Sequence, residues 1–128
     1  MCIRDRDELL PLCERKGISV IIGGPYNSGI LASDLSPGAK YFYQDAPPEV
    51  LRSAKRIKSI CDRHGVPLKA AALQFCLGHP SVVSVIPGAR STTEVEENME
   101  MAGFEIPTCL WEELRSEGLI REEVPFPG

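Results

Sequence analysis

Two short β-branched runs, each cut off by a glycine-containing turn, constrain this chain more than any other feature. In 82–86, Val82, Val83, Val85 and Ile86 make the kind of run that a strand buried on both faces of a parallel sheet needs. Pro87-Gly88 stops it, because proline lacks the N–H that a ladder requires and glycine frees the backbone. Ser91 stands three residues before Glu94, a capping-box spacing that predicts the start of a helix. The second run, I-S-V-I-I at 18–22, ends in G-G-P-Y-N-S-G at 23–29. Those glycines let backbone approach a ligand closely, and Asn27 and Ser28 carry side-chain donors. A strand, a tight turn and a capped helix gather free backbone N–H groups at one point, which attracts anions and phosphate above all. Such junctions also occur as plain turn-rich connections, so the residues alone leave both readings open.

Composition narrows the class. The chain has 128 residues, enough for one domain with a core, at 43% hydrophobic and 25% charged. A net charge of −4 argues against a nucleic-acid binder. No apolar run approaches a membrane span, and no signal-peptide core opens the sequence. Five cysteines, odd in number and never paired as C-x-x-C, fit reduced thiols in a cytoplasmic protein better than a zinc site or a disulfide framework.

In chain order, M-C-I-R-D-R at 1–6 has no periodicity and reads as a non-native leader. From Asp7, Leu9, Leu10, Leu12 and Cys13 predict the end of an amphipathic helix closed by Lys16 and Gly17. Residues 30–48 hold Pro37, Gly38, Pro47 and Pro48 and read as a long surface loop, of the kind that often covers a site. In it, Tyr41, Phe42 and Tyr43 either form an apolar lip or serve packing. Residues 49–64 predict a helix with Val50, Ala54, Ile57 and Cys61 on one face and a basic, solvated outer face. His64 suits the dipole in its last turn, with no partner pattern suggesting catalysis. Pro67 opens a further helix to about Gly78, ended by His79-Pro80. After a break at 105–108, Leu110, Trp111 and Leu114 stripe a last helix ending at Gly118, with Trp111 as a packing anchor. The tail at 122–128 holds two prolines and reads as an irregular surface segment.

Alternating strands and helices imply a parallel α/β sheet with helical crossovers. Two strands do not make a stable sheet, so further strands are expected upstream. In a (β/α)8 barrel the loops after the last two strands commonly form a phosphate site. The chain has the form of the C-terminal portion of such a TIM barrel, its last two strands and their helices, over 7–128.

V-I-I-G-G-P-Y-N-S-G-I-L and V-I-P-G-A-R-S-T-T-E-V-E-E-N resemble the two cofactor loops of the aldo-keto reductases, and K-A-A-A-L-Q-F-C-L-G-H-P is similar to the helix linking them. The resemblance runs from about Asp7 to the C-terminus and is nearest the aldose dehydrogenase branch. It implies an oxidoreductase moving a hydride between a nicotinamide cofactor and an aldose or other small aldehyde or alcohol. Position by position, it places Gly24, Pro25, Tyr26, Asn27 and Ser28 around the cofactor pyrophosphate, and Gly88, Ala89, Arg90 and Ser91 on the adenosine ribose side. It places Glu97 and Asn98 at adenine. The family's NADPH users carry lysine and arginine at the positions of Gly88 and Glu94. A carboxylate at Glu94 repels a 2′-phosphate and accepts from a 2′-hydroxyl, so NAD is the expected cofactor, with NADP kept open by Arg90. The aromatic that stacks on nicotinamide in many relatives falls at Gly23. The family's catalytic Asp, Tyr, Lys and His lie on earlier strands, so no catalytic residue and no metal site is expected here, and the chain alone is expected to be inactive. A non-catalytic nucleotide-binding or regulatory subunit of the same fold is the alternative.

Overall fold

The computed structural model describes residues 8–127, so the leader expected at 1–6 lies outside the described residues. Helix α1 (Leu10–Arg15) turns its Leu10 and Cys13 inward and ends where Gly17 takes φ +64°, a left-handed turn that glycine adopts without strain. Strand β1 (Val20–Gly23) follows. After a 3-10 turn at Ile30–Ala32 come two-residue strands β2 (Lys40–Tyr41) and β3 (Gln44–Asp45). Helix α2 (Pro48–Arg63) starts with proline in its first turn, where the missing N–H has no intrahelical partner to lose. Helix α3 (Leu68–Phe75) continues into a 3-10 turn at Cys76–Gly78 and leads to strand β4 (Val82–Ile86). Helices α4 (Thr92–Ala102) and α5 (Thr108–Ser116) complete the described chain.

β1 and β4 pair in parallel, with Ile21 beside Ser84, Ile22 beside Val85 and Gly23 beside Ile86. The Gly24 N–H extends the ladder by one bond to the Ile86 carbonyl, 3.4 Å away, so the two glycine turns leave the same end of the sheet side by side. This is the arrangement that positions the site.

Two expectations need correction. The stretch 30–48 is not a featureless loop: β2 and β3 form an antiparallel hairpin, Lys40 opposite Asp45 and Tyr41 opposite Gln44. Its turn residues Phe42 and Tyr43 both have positive φ (49° and 64°), the geometry a two-residue hairpin requires but one usually filled by Asn-Gly. No turn-forming pair signals it in the sequence. Nor are both strands buried on both faces. Ile22 and Val82 pack with Leu10 and Cys76, whereas Ile21, Val83 and Ile86 are 59%, 60% and 60% exposed. Among the described residues, α1 and the turn after α3 cover only part of the sheet.

The larger core lies among the helices. Trp111 and Leu114 of α5, Cys61 of α2, Ala70 and Ala71 of α3, and Ile30 before the hairpin pack together. Trp111 sits between the rings of Phe75 and Phe126, at 5.9 and 6.2 Å between centroids, as a packing anchor. The tail is therefore docked through Phe126, and among the described residues no helix is long and apolar enough to cross a membrane.

Candidate functional site

The two turns at the end of the β1–β4 pair are joined through side chains. Pro25 and Tyr26 are buried just after β1. The Tyr26 hydroxyl donates to Asn98 Oδ1 of α4 at 2.7 Å, a contact spanning 72 positions of sequence. Lys69 of α3 lies over the Tyr26 ring, 5.5 Å from its centroid, and pairs with Glu97 of α4 at 2.9 Å. One tyrosine and one lysine thus tie the first turn to the helix that follows the second. Burial first, then the charges of Cys76 and Glu97, push the Tyr26 hydroxyl up to about 12, so at neutral pH it is a donor.

The backbone of the first turn runs through a left-handed stretch: Gly24 at φ +64°, Asn27 at 48°, Ser28 at 61° and Gly29 at 95°. The turn is closed by its own backbone, the Asn27 N–H donating to the Gly24 carbonyl at 3.1 Å and the Gly29 N–H to the Tyr26 carbonyl at 3.1 Å. Ser28 Oγ accepts the Tyr43 N–H at 3.0 Å, which sets the tip of the β2–β3 hairpin on this turn. The aromatic cluster splits accordingly: Tyr41 is half-buried and meets the Phe42 ring edge-on at 4.6 Å, while Phe42 and Tyr43 are exposed beside the turn.

The second turn is open. Gly88, Ala89 and Arg90 are exposed, and Ser91 caps α4 by accepting the Glu94 N–H at 3.2 Å. Glu94 reaches back one residue further than a capping box does, accepting the Arg90 N–H at 2.6 Å and its guanidinium at 3.3 Å. The Arg90 backbone bond, more than the guanidinium, holds the Glu94 carboxyl below its usual range. Glu94 is an anion at neutral pH, standing at the helix N-terminus where a bound phosphate would otherwise be welcomed. Behind the turn, Val83, Val85, Val95, Asn98 and Met99 line an apolar groove of about 390 Å³.

The structure therefore brings Tyr26 and Asn98 together, and likewise Arg90, Ser91 and Glu94. It leaves Gly88 and Ala89 on the rim, and turns Glu97 to Lys69. Sequence reasoning did not single out Lys69. Its signal was there in the basic residue that opens the K-A-A-A helix, but its partners are set only by the packing of α3 on α4. His64 ends α2 as expected, and it has partners the sequence does not reveal: its Nε2 lies 2.6 Å from Glu113 Oε2 and its Nδ1 3.6 Å from Cys109 Sγ. No cluster of three or more His, Cys, Asp or Glu able to hold a metal occurs among the described residues.

Comparison with known proteins identifies the family and the fold. The model of the Aldo/keto reductase family matches residues 1–119. The chain is 43% identical over 113 residues to pyridoxal 4-dehydrogenase of Microbacterium luteolum, covering 88% of this chain and 33% of that protein. It is 39% identical over 114 residues to D-threo-aldose 1-dehydrogenase of a Pseudomonas species, covering 88% and 35%. Among solved structures, the holo form of an aldo-keto reductase from Bacillus halodurans superposes with a TM-score of 0.66 at 29% identity, over 94% of this chain and 40% of that one. The chain spans about a third of the length of the curated relatives it matches.

Proposed function

The chain belongs to the aldo/keto reductase family, and from that premise we propose that it is the cofactor-binding C-terminal part of a nicotinamide-dependent oxidoreductase of aldoses or other small aldehydes and alcohols. The observation that carries this is the Tyr26–Asn98 bond, because it ties the turn after β1 to the helix that follows the turn after β4, at one end of the parallel strand pair. In this reading the turn from Gly24 to Ser28 wraps the pyrophosphate, the second turn from Gly88 to Ser91 faces the ribose, and Glu97 and Asn98 flank adenine. Asn98 meets that role with Oδ1 engaged by Tyr26, which leaves its amide N–H groups to donate. Glu97 meets it while paired to Lys69.

NAD is the favoured cofactor. Glu94 is ionised and stands beside the Arg90 guanidinium, so a 2′-phosphate drawn to Arg90 would also meet a carboxylate. The cofactor supplies the hydride, and these residues supply its position. On this account the chain alone binds nucleotide but does not turn over a carbonyl substrate.

The test is cofactor preference in a barrel completed with the upstream strands of a relative. Glu94→Arg should raise the NADP/NAD ratio of kcat/KM by about tenfold, the effect of exchanging one repulsive contact for an attractive one worth about 1.4 kcal/mol. An unchanged ratio would remove Glu94 from the account.

A further inference from the structure

Away from the two turns, the C-terminus of α2 and the N-terminus of α5 meet at three side chains. His64 caps α2, half-buried, and Cys109 is the second residue of α5, exposed. Cys109 Sγ lies 3.6 Å from His64 Nδ1, and Glu113, one turn further along α5, lies 2.6 Å from His64 Nε2. Glu113 also pairs with the Arg63 guanidinium. The hydrogen bond from His64, followed by that from Arg63, holds the Glu113 carboxyl below its usual range. As an anion it only accepts, so His64 Nε2 carries a hydrogen, and in the neutral imidazole Nδ1 then offers its lone pair to the thiol.

That is the arrangement of an activated nucleophile: thiol, base, and a carboxylate that orients the base. The backbone reinforces it. Moving the thiol proton to Nδ1 leaves a thiolate at the positive end of α5 and an imidazolium at the negative end of α2, each charge beside the helix terminus that favours it. We propose that Cys109 is a reactive thiol, activated by His64 and Glu113, that exchanges with low-molecular-weight disulfides and becomes S-thiolated. The thiolate attacks one sulfur of the small disulfide, the S–S bond of that disulfide breaks, and a Cys109–S bond forms. The departing thiolate takes the proton from His64. Cys109 is oxidised and the departing half is reduced, so no further oxidant is needed.

The buried thiols make the internal contrast. Cys13, Cys61 and Cys76 are enclosed, and burial, followed by the charge of Asp62, pushes the Cys61 thiol up to about 11. The inference does not depend on the nucleotide reading, since these residues lie on the outer helices and touch neither turn.

The experiment is alkylation by iodoacetamide at neutral pH, followed cysteine by cysteine with mass spectrometry, in the full chain and in His64→Gln and Glu113→Gln. Cys109 should react about tenfold faster than a cysteine in an unstructured peptide, and His64→Gln should return it to the peptide's rate. With glutathione disulfide, Cys109 should gain one glutathione while Cys61 reacts only after unfolding. Where His64→Gln does not fold, the parent's native and urea-unfolded rates give the same comparison, and a native rate above the unfolded one is expected. A Cys109 rate equal to the peptide's, or one unchanged in folded His64→Gln, would overturn the proposal.

Discussion

At the scale of single residues, Tyr26 is where sequence, stability and site meet. It is buried, bonded to Asn98 and overlain by Lys69. Because its hydroxyl is raised from 10.0 to about 12 in the fold, the unfolded chain loses that proton first as pH rises. The contribution is therefore complete below about pH 10 and is lost between 10 and about 12. Tyr26→Phe should flatten this alkaline loss. It should also lower stability at neutral pH by about 1–3 kcal/mol, since Asn98 Oδ1 is left buried without its donor. Urea midpoints measured across the alkaline range check both effects. The sequence showed Tyr26 in a turn of the right kind, but not its partner, because a contact across 72 positions is set by how α4 returns to β1.

At the scale of elements, two junctions decide how the chain holds together. Ser91→Ala removes the acceptor for the Glu94 N–H and should cost about 1 kcal/mol, read from a denaturant midpoint. It should also loosen Glu94 from Arg90, since both belong to the same first turn. The other junction is the tail. A Cβ at Gly78 would meet the Phe126 backbone at 2.7 Å and Pro127 at 2.8 Å, so Gly78→Ala should push the tail off α3. The expected cost is about 1–3 kcal/mol, with Trp111 fluorescence reporting the loss of its Phe126 neighbour. The helices and the β1–β4 pair were legible because their signals are local: proline at helix starts, glycine at helix ends, β-branched runs for strands. The hairpin was not, because Phe42 and Tyr43 hold positive φ through tertiary support, including the Ser28 bond, and not through turn propensity. The docked tail was hidden for a related reason, since its anchor is a stack of rings from three separate segments.

At the scale of the whole molecule, the helices own a continuous core while the sheet has two strands and open apolar positions at Ile21, Val83 and Ile86. The pattern of those strands spoke of burial on both faces, and the described residues cover them only in part. That disagreement fits a chain about a third as long as its relatives. The His64–Glu113–Cys109 contacts were equally invisible in the sequence, since α2 and α5 are brought together by tertiary packing in a core that includes Cys61 and Trp111. What the sequence did carry was the order and content of the two glycine turns, and the structure sets them at one end of one strand pair. The most direct test of that pairing is calorimetric titration of the folded chain with NADH and NADPH, repeated in Asn98→Ala. Saturable binding is expected, tighter for NADH and weakened about tenfold in Asn98→Ala, the loss of one or two hydrogen bonds. A chain that keeps its helical circular dichroism yet binds neither nucleotide would contradict the account.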